Sequence, residues 1–136
     1  MRKTKFYFVL LAIIGLTSFK FISNGPDIKA GLFKVSIMYP GGKDKTFDMD
    51  YYEKSHMPMM AKLLGKNLEF YEIDKGISGR TPKDEPPFVA VGYFYCHDVA
   101  EYGQSVAKNI DTILNDIKKY TNIQPVILIS EIKQVK

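Results

Sequence analysis

The residues best suited to chemistry in this sequence lie in one short segment, residues 47–58 (FDMDYYEKSHMP), which carries His56, one of only two histidines in the chain. The apolar side chains here follow the three- and four-residue spacing of one helix face, and His56 falls on that face with Met49, Tyr52, Met60 and Leu63. Imidazole is the side chain that best moves protons near neutral pH. An imidazole facing inward therefore predicts a pocket in which His56 acts as a proton shuttle.

A purely structural role for His56 is the alternative. Pro58 is expected to break the helix after His56, because proline removes a backbone hydrogen bond and disfavours helical angles at the preceding Met57. The imidazole would then bind the carbonyl groups that the break leaves free. Tyr52, one turn earlier, orients His56 or hydrogen-bonds a substrate carbonyl, or else it is a core tyrosine with its hydroxyl at the rim.

Other motifs do not indicate a metal or a nucleotide cofactor. Cys96-His97-Asp98 is the one cluster of metal-ligand types, but the chain has a single cysteine and no second cluster, whereas structural zinc needs four ligands. Residues 41–43 (GGK) lack the spacing of a phosphate-binding loop. We therefore predict no cofactor and no metal, with haem as a minor option because one histidine, His56, suffices as its axial ligand.

The N-terminus predicts export. Basic residues at positions 2, 3 and 5 precede an apolar run over residues 6–19, which matches an export signal and is short for a transmembrane helix. We divide the chain into residues 1–30, a signal or uncleaved anchor with a linker, and residues 31–136, the folded domain. The expected location is periplasmic or secreted, or anchored to the membrane through residues 6–19.

The domain itself is electrically neutral. The whole chain has a formal net charge of +4, but residues 31–136 contain 14 basic and 14 acidic side chains. Nucleic-acid binding needs a basic face, so no nucleic-acid partner is expected. With one cysteine, the domain must be stabilised by its apolar core rather than by disulfides.

The secondary-structure pattern predicts an α+β fold of the ferredoxin-like βαββαβ type. The predicted strands span residues 32–39, 68–77, 88–96 and 124–133. Asp48 caps a helix that reaches Pro58 and restarts there to Leu64, and Asp98 caps a second helix to Lys108, followed by a short helical piece. The third strand is apolar throughout, which predicts burial on both faces. Because two helices cover one face only, we expect a homodimer whose sheets form a dimeric α/β barrel.

The sequence resembles the EthD family of dimeric α/β-barrel proteins. Four segments carry the resemblance, namely residues 34–40 (KVSIMYP), 47–58, 87–93 (PFVAVGY) and 122–131 (NIQPVILISE). Members are often labelled reductases or oxidoreductases, with the reaction mostly unassigned. The resemblance implies a pocket for a small organic molecule, and the export signal departs from the cytoplasmic location expected of most relatives.

These observations lead to one leading functional hypothesis. It is an enzyme, of oxidoreductase type or with cofactor-independent acid–base chemistry, that acts on a small apolar substrate with His56 and Tyr52 as catalytic residues. Aromatic and thioether side chains expected to bind the substrate are Tyr39, Met49, Met60, Tyr93 and Tyr95, whose structural alternative is packing in the core or the dimer. The rival hypothesis is a non-catalytic ligand-binding or stress-associated dimer. A third possibility is a structural homodimer without a pocket.

Overall fold

The computed structural model of the protein describes residues 28–136. The predicted export signal lies outside these residues. Within the described part of the chain, no helix has the length and apolar character needed to cross a membrane.

Four antiparallel strands form one sheet, and helices cover one of its faces. The elements are β1 (Phe33–Pro40), α1 (Met49–Tyr51), a π turn (Tyr52–His56), α2 (Met57–Leu64), a short 3₁₀ turn (Gly65–Asn67), β2 (Leu68–Lys75), β3 (Phe88–Cys96), α3 (Val99–Lys108), α4 (Ile110–Ile117) and β4 (Val126–Glu131). The strand order is β2-β3-β1-β4. This order confirms the predicted ferredoxin-like arrangement, in which the two central strands are β1 and β3.

The two faces of the sheet differ because side chains alternate along each strand. The covered face, defined here by Val35, Tyr39, Ala90 and Phe94, packs against the helices and is almost fully buried. The open face, defined by Lys34, Phe70, Glu72, Tyr93 and Tyr95, has no helix over it in the described chain. Burial in β3 alternates between partly exposed and buried residues from Val89 to Phe94, whereas Tyr95 is buried (5% exposed) although it lies on the open face. Within one chain, the predicted burial on both faces is therefore reached only at the end of the strand.

The edge strand β4 is apolar on both faces. Its residues Val126, Ile127, Leu128 and Ile129 keep between 45% and 58% of their surface exposed. An exposed apolar edge strand is an aggregation hazard unless something covers it.

The first helical segment is continuous from Met49 to Leu64, so the predicted break at Pro58 is wrong. Asp48 caps its start as predicted, accepting a hydrogen bond from the N–H of Tyr51 at 3.0 Å. Met57 keeps helical angles (φ −65°, ψ −41°), and its N–H donates to the carbonyl of Tyr52, five residues back. This wide turn changes the hydrogen-bond register just before Pro58, so the missing N–H removes one bond without ending the helix.

Candidate functional site

A cavity of about 410 Å³ lies between the helices and the covered face of the sheet. Its lining is mostly aliphatic and aromatic carbon. The polar side chains in the lining are Tyr39, Tyr52, His56, Tyr102 and Gln124. This combination of an apolar wall and a few polar groups is typical of a small-molecule site.

His56 is held in the cavity wall by Asp116. The π turn directs the imidazole inward, where it is only 5% exposed, and α4 supplies Asp116, which is 7% exposed. The distance from His56 Nδ1 to Asp116 Oδ2 is 2.9 Å. An ionised carboxylate only accepts hydrogen bonds, so Nδ1 carries the proton and Nε2 is left as the acceptor nitrogen.

Asp116 is satisfied by donors on both of its oxygens. The hydroxyl of Tyr51 donates to Oδ1 at 2.7 Å, and the ammonium of Lys119 donates to the same oxygen at 3.2 Å. Burial opposes ionisation of this carboxyl, but the hydrogen bonds from His56, Tyr51 and Lys119 outweigh it and lower its pKa. Asp116 is therefore an ionised carboxylate that fixes the tautomer of His56.

His56 itself is kept neutral near physiological pH. Burial lowers the pKa of His56 below its ordinary value of 6.5, and the hydrogen bond and charge of Asp116 only partly oppose this shift. Within residues 28–136, Nε2 of His56 has no hydrogen-bond partner. Every side-chain nitrogen or oxygen in these residues that is sealed from solvent does have a partner, so Nε2 is not sealed. Nε2 is thus an unpaired acceptor at the cavity surface, which is the state that a general base requires.

Two tyrosine rings contact the imidazole, and a third tyrosine, Tyr39, contacts both of them. The ring of Tyr52 stacks on His56 with centroids 5.5 Å apart and planes 16° apart, and the ring of Tyr120 lies 4.7 Å from His56. The hydroxyls of Tyr39 and Tyr120 share a hydrogen bond of 2.8 Å. Burial, and next the neighbouring Tyr39, raise the pKa of both Tyr52 and Tyr120, so these hydroxyls stay protonated.

Gly92 makes room for Tyr52. A Cβ atom built on Gly92 would lie 2.0 Å from the hydroxyl oxygen of Tyr52 and 3.4 Å from the terminal methyl of Met57. Only glycine lets the tyrosine hydroxyl approach the backbone of β3 this closely. The position of Tyr52, and with it the stacking on His56, therefore depends on this glycine.

The structure brings four of the seven predicted site residues to the cavity. His56, Tyr52, Tyr39 and Met60 line it together. Met49 lies instead in a surface groove with Asp48, Lys118 and Asn122. Met49, the first residue of the apolar stripe, thus packs against the core but not within the cavity.

Tyr93 and Tyr95 lie on the other face of the sheet. In β3 they alternate with Gly92 and Phe94, which face the helices. The hydroxyl of Tyr95 donates to Glu72 Oε2 at 2.6 Å, and its ring stacks on Phe70 with centroids 4.1 Å apart. Strand alternation therefore removes both tyrosines from the site around His56.

Sequence reasoning missed Asp116, the residue that gives His56 its tautomer. Asp116 is 60 positions from His56 in the chain and lies in a helical piece whose pattern indicates packing through Ile113 and Ile117. A signal was nevertheless present, because the spacing 113, 116, 117, 120 places this carboxylate on the apolar face of α4. A buried carboxylate on an apolar helix face requires partners, which His56, Tyr51 and Lys119 supply.

Metal binding finds no support in the described geometry. Among residues 28–136, no three histidine, cysteine, aspartate or glutamate side chains are grouped so that they could hold an ion. His97 is an exposed residue that pairs with Glu69 at 3.1 Å, and Cys96 is buried, with burial raising the pKa of its thiol to about 11. Haem at His56 stays a prediction, which the visible absorbance of the purified protein would check.

Fold and site together define a ferredoxin-like α+β protein with a histidine–carboxylate pair beside an apolar cavity. The EthD domain matches residues 41–123, which is more than half of the chain. The protein therefore belongs to the EthD family.

Solved structures agree with this assignment. An EthD-like protein from Ralstonia eutropha JMP134 shares 35% sequence identity, with a TM-score of 0.75 over 79% of this chain and 97% of that chain. An EthD family protein from Bacillus halodurans C-125, at 17% identity, supports the fold alone, with a TM-score of 0.55 over 74% of this chain and 97% of that chain. No curated protein matches the chain significantly.

Proposed function

We propose that this EthD-family protein is an enzyme in which His56 acts as a general base on a small organic molecule bound in the cavity. The observation that carries the proposal is the 2.9 Å bond between Nδ1 of His56 and the buried Asp116, at the wall of an apolar cavity. A hydrogen bond from Nδ1 to a carboxylate leaves Nε2 as the basic nitrogen and stabilises the imidazolium that forms when Nε2 takes a proton. The proposed chemistry needs no cofactor.

Each neighbouring group has a stated part in this chemistry. Asp116 is a positioning residue, because it acts on the substrate only through His56. Tyr52 fixes the plane of the imidazole by stacking, and Tyr102 presents a protonated hydroxyl to the same cavity. When a proton leaves the substrate for Nε2, the negative charge left on a substrate oxygen can be stabilised by such a hydroxyl donor.

A probe reaction tests the general base without knowledge of the natural substrate. 5-Nitrobenzisoxazole is a neutral bicyclic molecule whose ring opens to a coloured phenolate when a base removes one carbon-bound proton. We expect the wild-type protein to accelerate this opening and His56→Ala to reduce kcat/KM by about 10²–10⁴-fold. Tyr95→Phe, on the open face, is the matched control and should retain wild-type turnover.

The pH profile of the same reaction gives a second readout. Only neutral His56 can accept a proton, and burial lowers its pKa below 6.5. The value of kcat/KM should therefore rise through a pKa below 6.5 and stay level above it. Full turnover in a folded His56→Ala protein would contradict the proposal.

A non-catalytic ligand-binding protein is the second candidate, favoured by the scarcity of polar groups in the cavity lining. The same experiment separates the two functions. Saturable binding of the probe without any acceleration, unchanged in strength by His56→Asn, would identify a carrier. Acceleration that depends on His56 would identify an enzyme.

We also propose that the assembled form is a homodimer in which a second copy covers the open face. On the open-face side of β4, Val126 and Leu128 are 51% and 53% exposed in one chain, and the open face carries both Lys34 and Glu72. A two-fold axis can pair such unlike charges across a self-complementary interface. Sedimentation of the purified domain is the test, and a monomer at micromolar concentration would overturn this proposal.

A further inference from the structure

We infer that the cavity takes a neutral, elongated carbonyl compound of about a dozen non-hydrogen atoms, bound with its oxygen near the hydroxyl of Tyr102 and its hydrocarbon end toward an opening between α4 and β4. The inference rests on the proposed site but not on turnover, because it concerns only what the cavity binds. Its basis is the distribution of polar groups, exposure and charge along the lining.

Four of the five polar side chains in the lining are at the buried end of the cavity, and the fifth, Gln124, is exposed. Tyr52 lies between Tyr39 and His56, with ring centroids 5.6 Å and 5.5 Å away, and Tyr39 and Tyr52 are each 1% exposed. Tyr102 is 9% exposed, and its hydroxyl has no hydrogen-bond partner within the described part of the chain. A carbonyl oxygen at this end can therefore accept a hydrogen bond from a hydroxyl that has no protein partner.

The exposed side chains at the opening of the cavity are aliphatic except for Gln124. Ile110 and Leu114 on α4 and Ile127 on β4 all line the cavity, and they are 42%, 49% and 58% exposed. Ile113, one residue before Leu114, also lines the cavity but is 7% exposed, which places it further inside. Exposed apolar surface around a pocket marks a place where an apolar ligand group is bound.

The lining excludes a permanently charged ligand. Of the described residues around the cavity, none is Lys, Arg, Asp or Glu. A buried carboxylate, phosphate or ammonium without a partner of opposite charge carries a large desolvation cost. The substrate is therefore neutral, in contrast to a fatty acid or an amine of the same length.

The cavity volume sets the size of the ligand. A non-hydrogen atom of a small molecule takes roughly the space of a water in the liquid, about 30 Å³, so 410 Å³ holds about a dozen such atoms. A methyl ketone with a chain of about eleven carbons has this size, and its carbon next to the carbonyl carries the kind of proton that a general base can remove.

A series of methyl ketones tests length and charge by isothermal titration calorimetry. From 2-heptanone to 2-nonanone to 2-undecanone, Kd should fall by about tenfold per step, since each step buries two more methylene groups. Decanoate at pH 8 has the same number of non-hydrogen atoms as 2-undecanone, and it should bind at least tenfold more weakly. A Kd independent of chain length, or decanoate binding as tightly as the ketone, would overturn the inference.

Two variants test the orientation. Tyr102→Phe removes a hydroxyl at the buried end and should weaken 2-heptanone and 2-undecanone by the same factor, about three- to tenfold. Leu114→Lys places a charge at the opening and should weaken 2-undecanone by about tenfold while leaving 2-heptanone nearly unchanged. Asn115→Lys adds the same charge at a neighbouring exposed residue outside the lining and is the control, with affinities as in the wild type.

The results distinguish this inference from the proposed function. All titrations are repeated in His56→Ala, which has lost the base but keeps the opening. If the length and charge dependence persists while the probe reaction is absent in the wild type, the ligand class stands and the enzymatic proposal fails. If Leu114→Lys weakens both ketones equally, the inferred orientation fails, whatever the turnover.

Discussion

Tyrosines lie on both faces of the sheet, but the two groups differ in what surrounds them. On the covered face, Tyr39, Tyr52 and Tyr120 contact one another, and Tyr52 and Tyr120 also contact the imidazole of His56. On the open face, burial first and the carboxylates Glu72 and Asp74 next raise the pKa of Tyr93 and Tyr95. All of these tyrosines stay protonated. Those on the covered face lie among other hydroxyls, and those on the open face lie beside carboxylates.

The comparison shows why proton chemistry is expected on one face only. Glu72 and Asp74 are exposed, so water can donate hydrogen bonds to their carboxylates and no buried donor such as an imidazole is required. On the covered face the carboxylate is Asp116, which is buried and takes its donors from His56, Tyr51 and Lys119. The same residue types thus form a hydrogen-bonded surface on one side and a candidate base on the other.

The largest expected effect comes from Gly92→Ala, which changes the covered face alone. The new methyl group would overlap the hydroxyl of Tyr52, so we expect a loss of about 1–3 kcal/mol in the free energy of unfolding and reduced probe turnover. Gly103→Ala is the matched control, since a Cβ there meets no atom within 4 Å and Gly103 lies within α3. It should stabilise the protein by about 0.5–1 kcal/mol. Urea unfolding measures both, and equal effects would contradict the packing described for Tyr52.

Asp116→Asn should have the next largest effect. The amide is isosteric but uncharged, and it no longer specifies the tautomer of His56. We expect a 10- to 100-fold loss of kcat/KM for 5-nitrobenzisoxazole, because Asp116 positions the base without touching the probe. Asp116 raises the pKa of His56, so its removal should move the acid limb of the pH profile to lower pH. Nitrogen-15 NMR of the imidazole reports both the tautomer and the pKa, and an unchanged spectrum would remove Asp116 from its role.

A pair of phenylalanine substitutions compares the faces directly. Tyr39→Phe removes the hydroxyl that lies 2.8 Å from the buried hydroxyl of Tyr120, so the free energy of unfolding should fall by about 1–3 kcal/mol. Tyr95→Phe leaves the exposed carboxylate of Glu72 without its tyrosine donor, and water can replace that hydrogen bond. The free energy of unfolding should therefore fall by about 1 kcal/mol or less. Denaturant unfolding of the two variants measures the difference. A larger loss for Tyr95→Phe would mean that the open face is sealed in solution, as in the proposed dimer.

Lys119→Met should give the smallest effect. Lys119 shares the carboxylate of Asp116 with His56, and its side chain is 59% exposed, so solvent screens most of its influence. Removing it leaves more of the negative charge of Asp116 acting on His56, and the pKa of His56 should rise by a few tenths of a unit. Lys118→Met removes an adjacent exposed lysine that has no bond to Asp116 and should leave that pKa unchanged. The same NMR titration resolves the two variants, and a fall in pKa with Lys119→Met would contradict the geometry.

Much of the fold could be predicted because local patterns agree with it. Alternation predicted β1, a continuous apolar run predicted β3, and the caps at Asp48 and Asp98 were predicted from residue type. The continuity through Pro58 could not be predicted, because the local rule for proline takes no account of a π turn that packing stabilises. Tyr93 and Tyr95 were assigned to the cavity because β3 is apolar at every position, so its pattern does not say which side faces the helices. Asp116 was missed because its partner is distant in the chain.

The π turn at residues 52–56 also has a consequence for engineering. It is equivalent to one extra residue inserted in a helix, and each residue of a helix corresponds to about 100° of rotation. Ser55 is exposed within this turn. Its deletion would let the segment return to an ordinary α-helix and would rotate Tyr52 relative to His56. The orientation of the imidazole is thus encoded in the length of the chain as well as in its side chains, and alignments that place a gap here would mark relatives with a differently directed histidine.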